Sequence, residues 1–379
     1  MMTMGYSYYP EDTSHRKIYY IALYYIFMIV LGIETSCDET AVGIVKDKTI
    51  LLSNEVLSSM NLHSQYGGVV PEIASRSHLE AIIPTIEQAI KTAKVTWEDM
   101  DAISVTYGAG LSGSLLIGVM TAKTLAQTLH KPLYGANHVM GHVFANFLRS
   151  SALKDYSFPK KEIEFPMLAV ILSGGHTQLV LFRDFFDYKV LGITQDDAIG
   201  EAFDKVSKML GLGYPGGVAV SKLAETGNKH AFQLPIAKMP GYDFSYSGLK
   251  TALLRRAQVI INQNYTFPSI KLSERLNLAQ KADLAASFEY TAIKTIVDKV
   301  KMAYEEFSPN NIVIAGGVAA NSELRRQLHV SVSDKIEYPD LKLCTDNGAM
   351  IATLGCYMYE LGKGKVNPNN LTIQPNLKM

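Results

Sequence analysis

The chain is poor in cysteine. Cys37, Cys344 and Cys356 are the only three in 379 residues, and no two share a C-x-x-C spacing. They cannot build a disulfide framework, and such usage fits a reducing compartment. Excess charge is lacking too: 36 basic and 36 acidic side chains give a formal net charge of zero. A large nucleic-acid footprint usually leaves a basic surplus, so the balance gives no positive sign of RNA, while leaving room for a local patch. Long apolar runs are missing. Residues 18–33 are almost all apolar and carry no charge, but they fall short of the ~20 needed to cross a bilayer. The run is rich in Tyr and has no small-residue cleavage site, which makes it a poor signal peptide. There is no G-x-x-x-x-G-K-[ST] and no G-x-G-x-x-G after the first expected strand, so P-loop and Rossmann readings are disfavoured.

What is present fits a globular α/β enzyme. The chain is 47% hydrophobic and 19% charged. At roughly 150 residues per domain its length suggests two or three domains. Residues 29–33 and 41–45 read as strands around the polar turn Glu34-Thr35-Ser36-Cys37-Asp38-Glu39-Thr40. Residues 166–172 and 178–182 repeat the pattern around Ser173-Gly174-Gly175-His176-Thr177. Strand, small polar turn, strand therefore occurs once in each half, which suggests a duplicated architecture. Helical stretches lie between and after the copies, at 77–94, 113–129, 198–210, 218–226, 282–307 and 347–361. Residues 258–281 read as an irregular, helical insertion, and the Asn/Pro-rich tail after Lys365 as loosely ordered. Met28 opens a plausible buried first strand, so the functional chain is expected to start there, with 1–27 an upstream extension; a disordered tail and a membrane-associating segment are the alternatives.

Three glycine-rich turns could hold an anion: Ser173-Gly174-Gly175 after a buried strand, Tyr214-Pro215-Gly216-Gly217, and Gly316-Gly317-Val318-Ala319-Ala320-Asn321 at a strand-to-helix transition. Adjacent glycines let backbone N–H groups turn toward a phosphate, and a helix N-terminus adds partial positive charge. Each alone is more often a tight turn, but three in one chain, each at a strand end or helix start, favour a nucleotide site. Asp204 could bind ribose hydroxyls or could be a solvated residue paired with Lys208. In Asn137-His138-Val139-Met140-Gly141-His142 two imidazoles sit four residues apart, so a helix would present both to one cation. Ordinary helix residues show the same spacing, and the Glu of an H-E-x-x-H protease helix is missing. Asp346, just before the last helix, is either an N-cap or an anionic third ligand; two His and one carboxylate leave positions open for substrate.

Taken in order, Leu31-Gly-Ile-Glu-Thr-Ser-Cys-Asp-Glu-Thr40, the His138/His142 run, Leu172-Ser-Gly-Gly-His-Thr-Gln178, Gly200-Glu-Ala-Phe-Asp-Lys205, Phe244-Ser-Tyr-Ser-Gly-Leu-Lys250, Gly316-Gly-Val-Ala-Ala-Asn321 and Thr345-Asp-Asn-Gly-Ala349 match one family. From about Met28 to Lys363 the chain resembles the tRNA adenosine threonylcarbamoyltransferases (TsaD in bacteria, with archaeal, eukaryotic and organellar relatives). His176 is similar to the bacterial and organellar branch, since the archaeal branch usually has Asn there.

The resemblance implies a duplicated actin-like ATPase (ribonuclease H-like) α/β fold, with two lobes around a central cleft. Residues 28–136 plus 347–379 would form the first lobe and 137–346 the second, with 1–27 outside the fold. It implies transfer of a threonylcarbamoyl group from threonylcarbamoyl-AMP to N6 of the adenosine 3′ to the anticodon in tRNAs reading ANN codons, with release of AMP. It implies one divalent metal, Fe²⁺ before Zn²⁺, held by His138, His142 and Asp346. Ile171, Leu172, Ser173, Gly174, Gly175, Asp204, Gly217 and Asn321 would hold the adenylate. Partners implied are tRNA, a TsaB-like paralogue and a TsaE-like ATPase, in the cytoplasm and without a membrane. Val218 departs from the family, which often has Pro after the Gly pair, and no general base stands out beyond His176, a candidate by position only. Alternatives are a metalloprotease, a non-catalytic scaffold paralogue that lacks the His pair, and a sugar kinase on the same fold. The sugar kinases carry Asp-x-Gly loops where this chain has Glu34-Thr35-Ser36.

Overall fold

A computed structural model describes residues 27–63, 66–159, 161–332 and 335–379. The expectation for 1–27 lies outside the described residues except at Phe27.

The strand-turn-strand repeats seen in the sequence are the seeds of two sheets with one topology. In the first, β1 (Ile29–Glu34), β2 (Glu39–Lys46) and β3 (Ile50–Ser58) form an antiparallel meander, and β4 (Ala102–Gly108) and β5 (Leu133–Asn137) extend it in parallel from β1. The short β6 (Ser150–Ser151) edges β3. In the second sheet β7 (Met167–Leu172), β8 (Thr177–Asp184) and β9 (Asp187–Ile193) form the meander, with β10 (Asn311–Ala315) and β11 (Ile336–Glu337) parallel beyond β7. The order β3-β2-β1-β4-β5 is thus repeated as β9-β8-β7-β10-β11. This is the duplicated α/β, actin-like arrangement that the sequence suggests.

Helices follow the strands. α1 (Met60–His63), α2 (Pro71–Ala93) and α3 (Ser112–Thr128) lie in the first half, and α4 (His138–Phe144) follows β5 directly. α5 (Ile199–Leu210), α6 (Gly216–Ala224), α7 (Ser247–Ile260), α8 (Leu278–Phe307), α9 (Ser322–Val332) and α10 (Gly348–Glu360) complete the set. Among the described residues no helix is long and apolar enough to cross a membrane. The sequence reading placed a helical insertion at 258–281; instead α7 ends at Ile260 and a 3-10 turn covers Ser269–Glu274.

Period-2 alternation decides which side chains reach the site. On β1, Leu31 and Ile33 pack into a core with Ile82 and Ile86 of α2 and Val119 of α3. Val30 points the other way, into a core shared with Met167, Ala169 and Ile171 of β7, Val139 and Val143 of α4, and Met350 and Leu354 of α10. Gly32 and Glu34 share the face of Val30. Gly32 pairs across the hairpin with Gly43, and α10 lies directly on both. A Cβ at Gly32 would come within 2.2 Å of the Ala352 nitrogen, and one at Gly43 within 2.3 Å of the Ala349 nitrogen. Only glycines admit a helix backbone this close to the sheet.

The C-terminal tail is not loose. β12 (Lys365–Val366) pairs with β5, Leu371 is buried, the Gln374 N–H donates to the Tyr107 carbonyl and the Gly110 N–H to that of Pro375. Composition alone gave no sign of these long-range bonds.

Candidate metal centre and nucleotide loops

The C-terminal end of β5 turns straight into α4. Asn137 is the N-cap, its side chain accepting from the Val139 and Met140 N–H groups, so the helix starts at His138. The His138 and His142 rings then meet edge to face one turn apart, with centroids 4.8 Å apart. Asp346 enters from the loop before α10, where Asn347 takes the N-cap role by accepting from the Met350 N–H. That frees Asp346 from the capping alternative. Its Oδ1 lies 3.2 Å from His142 Nε2 and 3.6 Å from His138 Nε2. One ligand atom from each of the three residues falls within 4.8 Å of the others.

Behind the pair stands Glu34, fully buried at the end of β1. It accepts from the Ser36 N–H and the Thr106 hydroxyl, and its Oε2 lies 3.1 Å from His138 Nδ1. Ser36 Oγ lies at the same 3.1 Å from Nδ1, and with Nδ1–H turned to this side a bound cation would meet the Nε2 lone pair. This is the carboxylate–histidine backing that orients metal-bound imidazoles. Burial disfavours the protonated His138 ring, yet Glu34 and Asp346 outweigh it and raise its pKa to about 9. Burial also pushes the Asp346 carboxyl up, and the two histidines more than reverse it. The buried Glu34 and the partly buried Asp346 thus favour a positive charge between them.

The donor set fits a divalent cation. Both ring nitrogens of His142 are buried without a hydrogen-bond partner among the described residues, and Nε2 lies 3.2 Å from Asp346 Oδ1. A buried, unpartnered imidazole nitrogen beside a carboxylate is a ligand geometry rather than a structural one. His176 sits on the β7–β8 turn with its ring 6.3 Å from that of His138, toward the cluster rather than turned away from it. Burial first, then the charges of His138 and His142, hold its pKa down to about 4.

The glycine turns lie on the second half. Ile171 and Leu172 have fully buried side chains, so only their backbone could meet a ligand. Ser173 closes the turn by donating its N–H to the His176 carbonyl. Gly174 and Gly175 are exposed, and a Cβ on either would meet nothing within 4 Å. The start of α5 packs beneath them: the Gly200 N–H donates to the Ser173 carbonyl, and a Cβ at Gly200 would lie 2.8 Å from that oxygen and from the Gly174 Cα. Asp204 of α5 accepts from the Gly216 N–H at 2.8 Å and so ties down the start of α6. Burial raises its pKa. Gly217, one residue on, faces open space. Asn321 donates its amide to Ser221 and Glu289 and accepts from the Leu324 N–H.

With this geometry in place, comparison decides the family. The model of the tRNA N6-adenosine threonylcarbamoyltransferases, TsaD, matches residues 50–353. The chain belongs to this family. The TsaD-type enzyme of Thermomicrobium roseum is 46% identical over 343 residues, covering 88% of this chain and 93% of that protein. The threonylcarbamoyltransferase of Caldicellulosiruptor saccharolyticus is 44% identical over 355 residues, covering 93% and 98%. Among solved structures, HypF of T. kodakarensis superposes with a TM-score of 0.57 at 14% identity, covering 89% of this chain and 48% of that one; the likeness is one of fold.

Three features of this candidate site were not legible in the sequence: the Glu34 backing of His138, the Gly32–Gly43 seat for α10, and Glu289 beside Asn321. Glu34 left one signal, a carboxylate closing an otherwise apolar strand. The other two depend on contacts between segments far apart in sequence and left none.

Proposed function

We propose that the chain transfers the threonylcarbamoyl group of threonylcarbamoyl-AMP to N6 of the adenosine 3′ to the anticodon in tRNAs reading ANN codons, forming threonylcarbamoyladenosine and releasing AMP. The observation that carries this reading is the convergence of His138, His142 and Asp346, in a chain of the threonylcarbamoyltransferase family. The adenylate is an activated mixed anhydride. N6 attacks the carbamoyl carbon, an N–C bond forms, the C–O bond to phosphate breaks, and AMP leaves with the bonding pair while N6 loses one proton. No electron is transferred. A divalent cation, Fe²⁺ in this reading, would supply a fixed Lewis-acid charge for a carboxylate or phosphate oxygen.

The chain's own groups would do the rest. His138, His142 and Asp346 hold the cation, and Glu34 fixes the His138 tautomer. The Ile171–Gly175 backbone and its bare glycines receive the phosphate, while Asp204, Gly217 and Asn321 line the nucleoside end. Alignment of amine and carbonyl by such a site is worth about 7–11 kcal/mol of barrier. In this reading 28–136 with 347–379 and 137–346 are the two lobes, and the enzyme works in the cytoplasm with a TsaB-like paralogue and a TsaE-like ATPase. The test is direct. The purified chain with those partners, threonylcarbamoyl-AMP and tRNA is expected to yield threonylcarbamoyladenosine on mass spectrometry of the digested tRNA; unmodified tRNA would reject the reading.

A further inference from the structure

Three elements meet beside the nucleoside end of the proposed site. Ser221 lies four residues after Gly217, so both share one face of α6. Asn321 precedes α9, and Glu289 comes up from the middle of α8. Glu289 is only 7% exposed. Its Oε1 accepts from the Ser221 hydroxyl at 2.6 Å and from the Asn321 amide at 2.7 Å, and Oε2 takes no hydrogen bond among the described residues. No Lys, Arg or His forms an ion pair with it among the described residues. A buried carboxylate without a counter-ion is unfavourable for the fold, so its place needs another reason. Asn321 spends its amide N–H groups on Ser221 and Glu289 and its oxygen accepts from the Leu324 N–H, so the side chain is held in place as a support. Glu289 keeps one carboxylate oxygen free of protein donors among the described residues. Along the same turns the backbone is open at Gly217, one helical turn before Ser221, where a Cβ would meet nothing within 4 Å, and nearly so at Gly317, four residues before Asn321, where the nearest atom is a Thr345 methyl at 3.8 Å.

We propose that Glu289 is the specificity residue for the ribose of the adenylate, its free carboxylate oxygen accepting from the vicinal hydroxyls while Ser221 and Asn321 hold the carboxylate in place. Two neighbouring hydroxyl donors facing one carboxylate is the pairing by which acidic residues select ribose in dinucleotide sites. The proposal rests on the nucleotide reading above and adds to it which group reads the sugar.

The test is binding of AMP, 2′-deoxy-AMP and 3′-deoxy-AMP to the full chain, by calorimetry. The wild type is expected to prefer AMP over at least one deoxy form by about tenfold, the scale of a charge-assisted hydrogen bond. Glu289→Gln is nearly isosteric and should narrow that preference to about twofold, through loss of AMP affinity and not of deoxy-nucleotide affinity. Ser221→Asp placed in the Glu289→Gln background returns a carboxylate beside that position, since the Ser221 hydroxyl lies 2.6 Å from the Glu289 carboxylate, and should restore the preference. A Glu289→Gln protein that keeps the wild-type preference, or that weakens all three nucleotides equally, overturns the proposal and leaves the nucleotide site standing. Wild-type protein that binds none of the three, or binds them alike, also overturns it; failure to bind any removes the nucleotide reading as well.

Discussion

The two hairpins that begin the two sheets share a topology and differ in what their turns carry. In the first, the closing pair Glu34↔Ala41 encloses residues 35–40, and the turn holds Asp38 and Glu39 with Glu34 at its base. In the second, Leu172↔Thr177 encloses only residues 173–176, and the turn holds two bare glycines and His176. The first meander is also sunk under α10 by its Gly32–Gly43 pair, which brings Asp346 over His138. Duplication thus gave one scaffold twice. In the proposed function one copy backs the cation through Glu34, and the other offers its open turn to an anion. The glycines stand in opposite surroundings: Gly32 and Gly43 are filled by a helix backbone, while Gly174 and Gly175 are exposed with nothing within 4 Å of a Cβ.

The largest effect should follow from filling the first pair. Gly43→Ala puts a methyl within 2.3 Å of α10 backbone and is expected to destabilise the chain by about 3 kcal/mol or more, read as a fall in the denaturation midpoint. A normal midpoint would break the distinction between the hairpins. Glu34→Gln leaves the packing intact and should weaken metal affinity about 10–100-fold in competition with a chelator. Unchanged affinity would show that the Glu34–His138 contact is merely structural. Gly200→Ala presses on the Ser173–Gly174 turn and should cost about 1–3 kcal/mol. Gly174→Ala, by contrast, should shift stability by under about 0.5 kcal/mol, because nothing lies within 4 Å, and should show its loss in substrate affinity.

A smaller effect concerns pH. Burial, the largest influence, leaves the Glu289 carboxyl above its ordinary pKa in the folded chain. The folded state therefore holds this proton more tightly than the unfolded state, and stability falls as pH rises from the ordinary carboxylate value through the raised one. Glu289→Gln removes that term. Its melting temperature should exceed the wild type's at pH 8, and the gap should close as the pH falls through that window. A gap independent of pH would mean that Glu289 binds its proton equally well in the folded and unfolded chain, against the raised folded value.

Much of this was legible in the sequence, and the reasons differ by residue. The His138/His142 spacing announced a shared helix face, which α4 supplies, but spacing alone could not choose between ligand and bystander. The choice needed Asp346, more than two hundred residues away, and Asn347 taking the cap. The strand repeats foretold two sheets because alternation and turn composition are local. The order of the tail was not legible, since Gln374 and Pro375 are fixed by backbone bonds to Tyr107 and Gly110. Glu34 and Glu289 were hidden for the same reason: each has its role from partners that only the fold brings near.

The account stands or falls on the charge demanded by Glu34, His138, His142 and Asp346. Divalent metal per chain, measured by elemental mass spectrometry on purified protein, should be close to one in the wild type and near zero in His142→Ala and Asp346→Ala, with both variants keeping the wild-type circular dichroism. One ion per chain retained in either variant would contradict it.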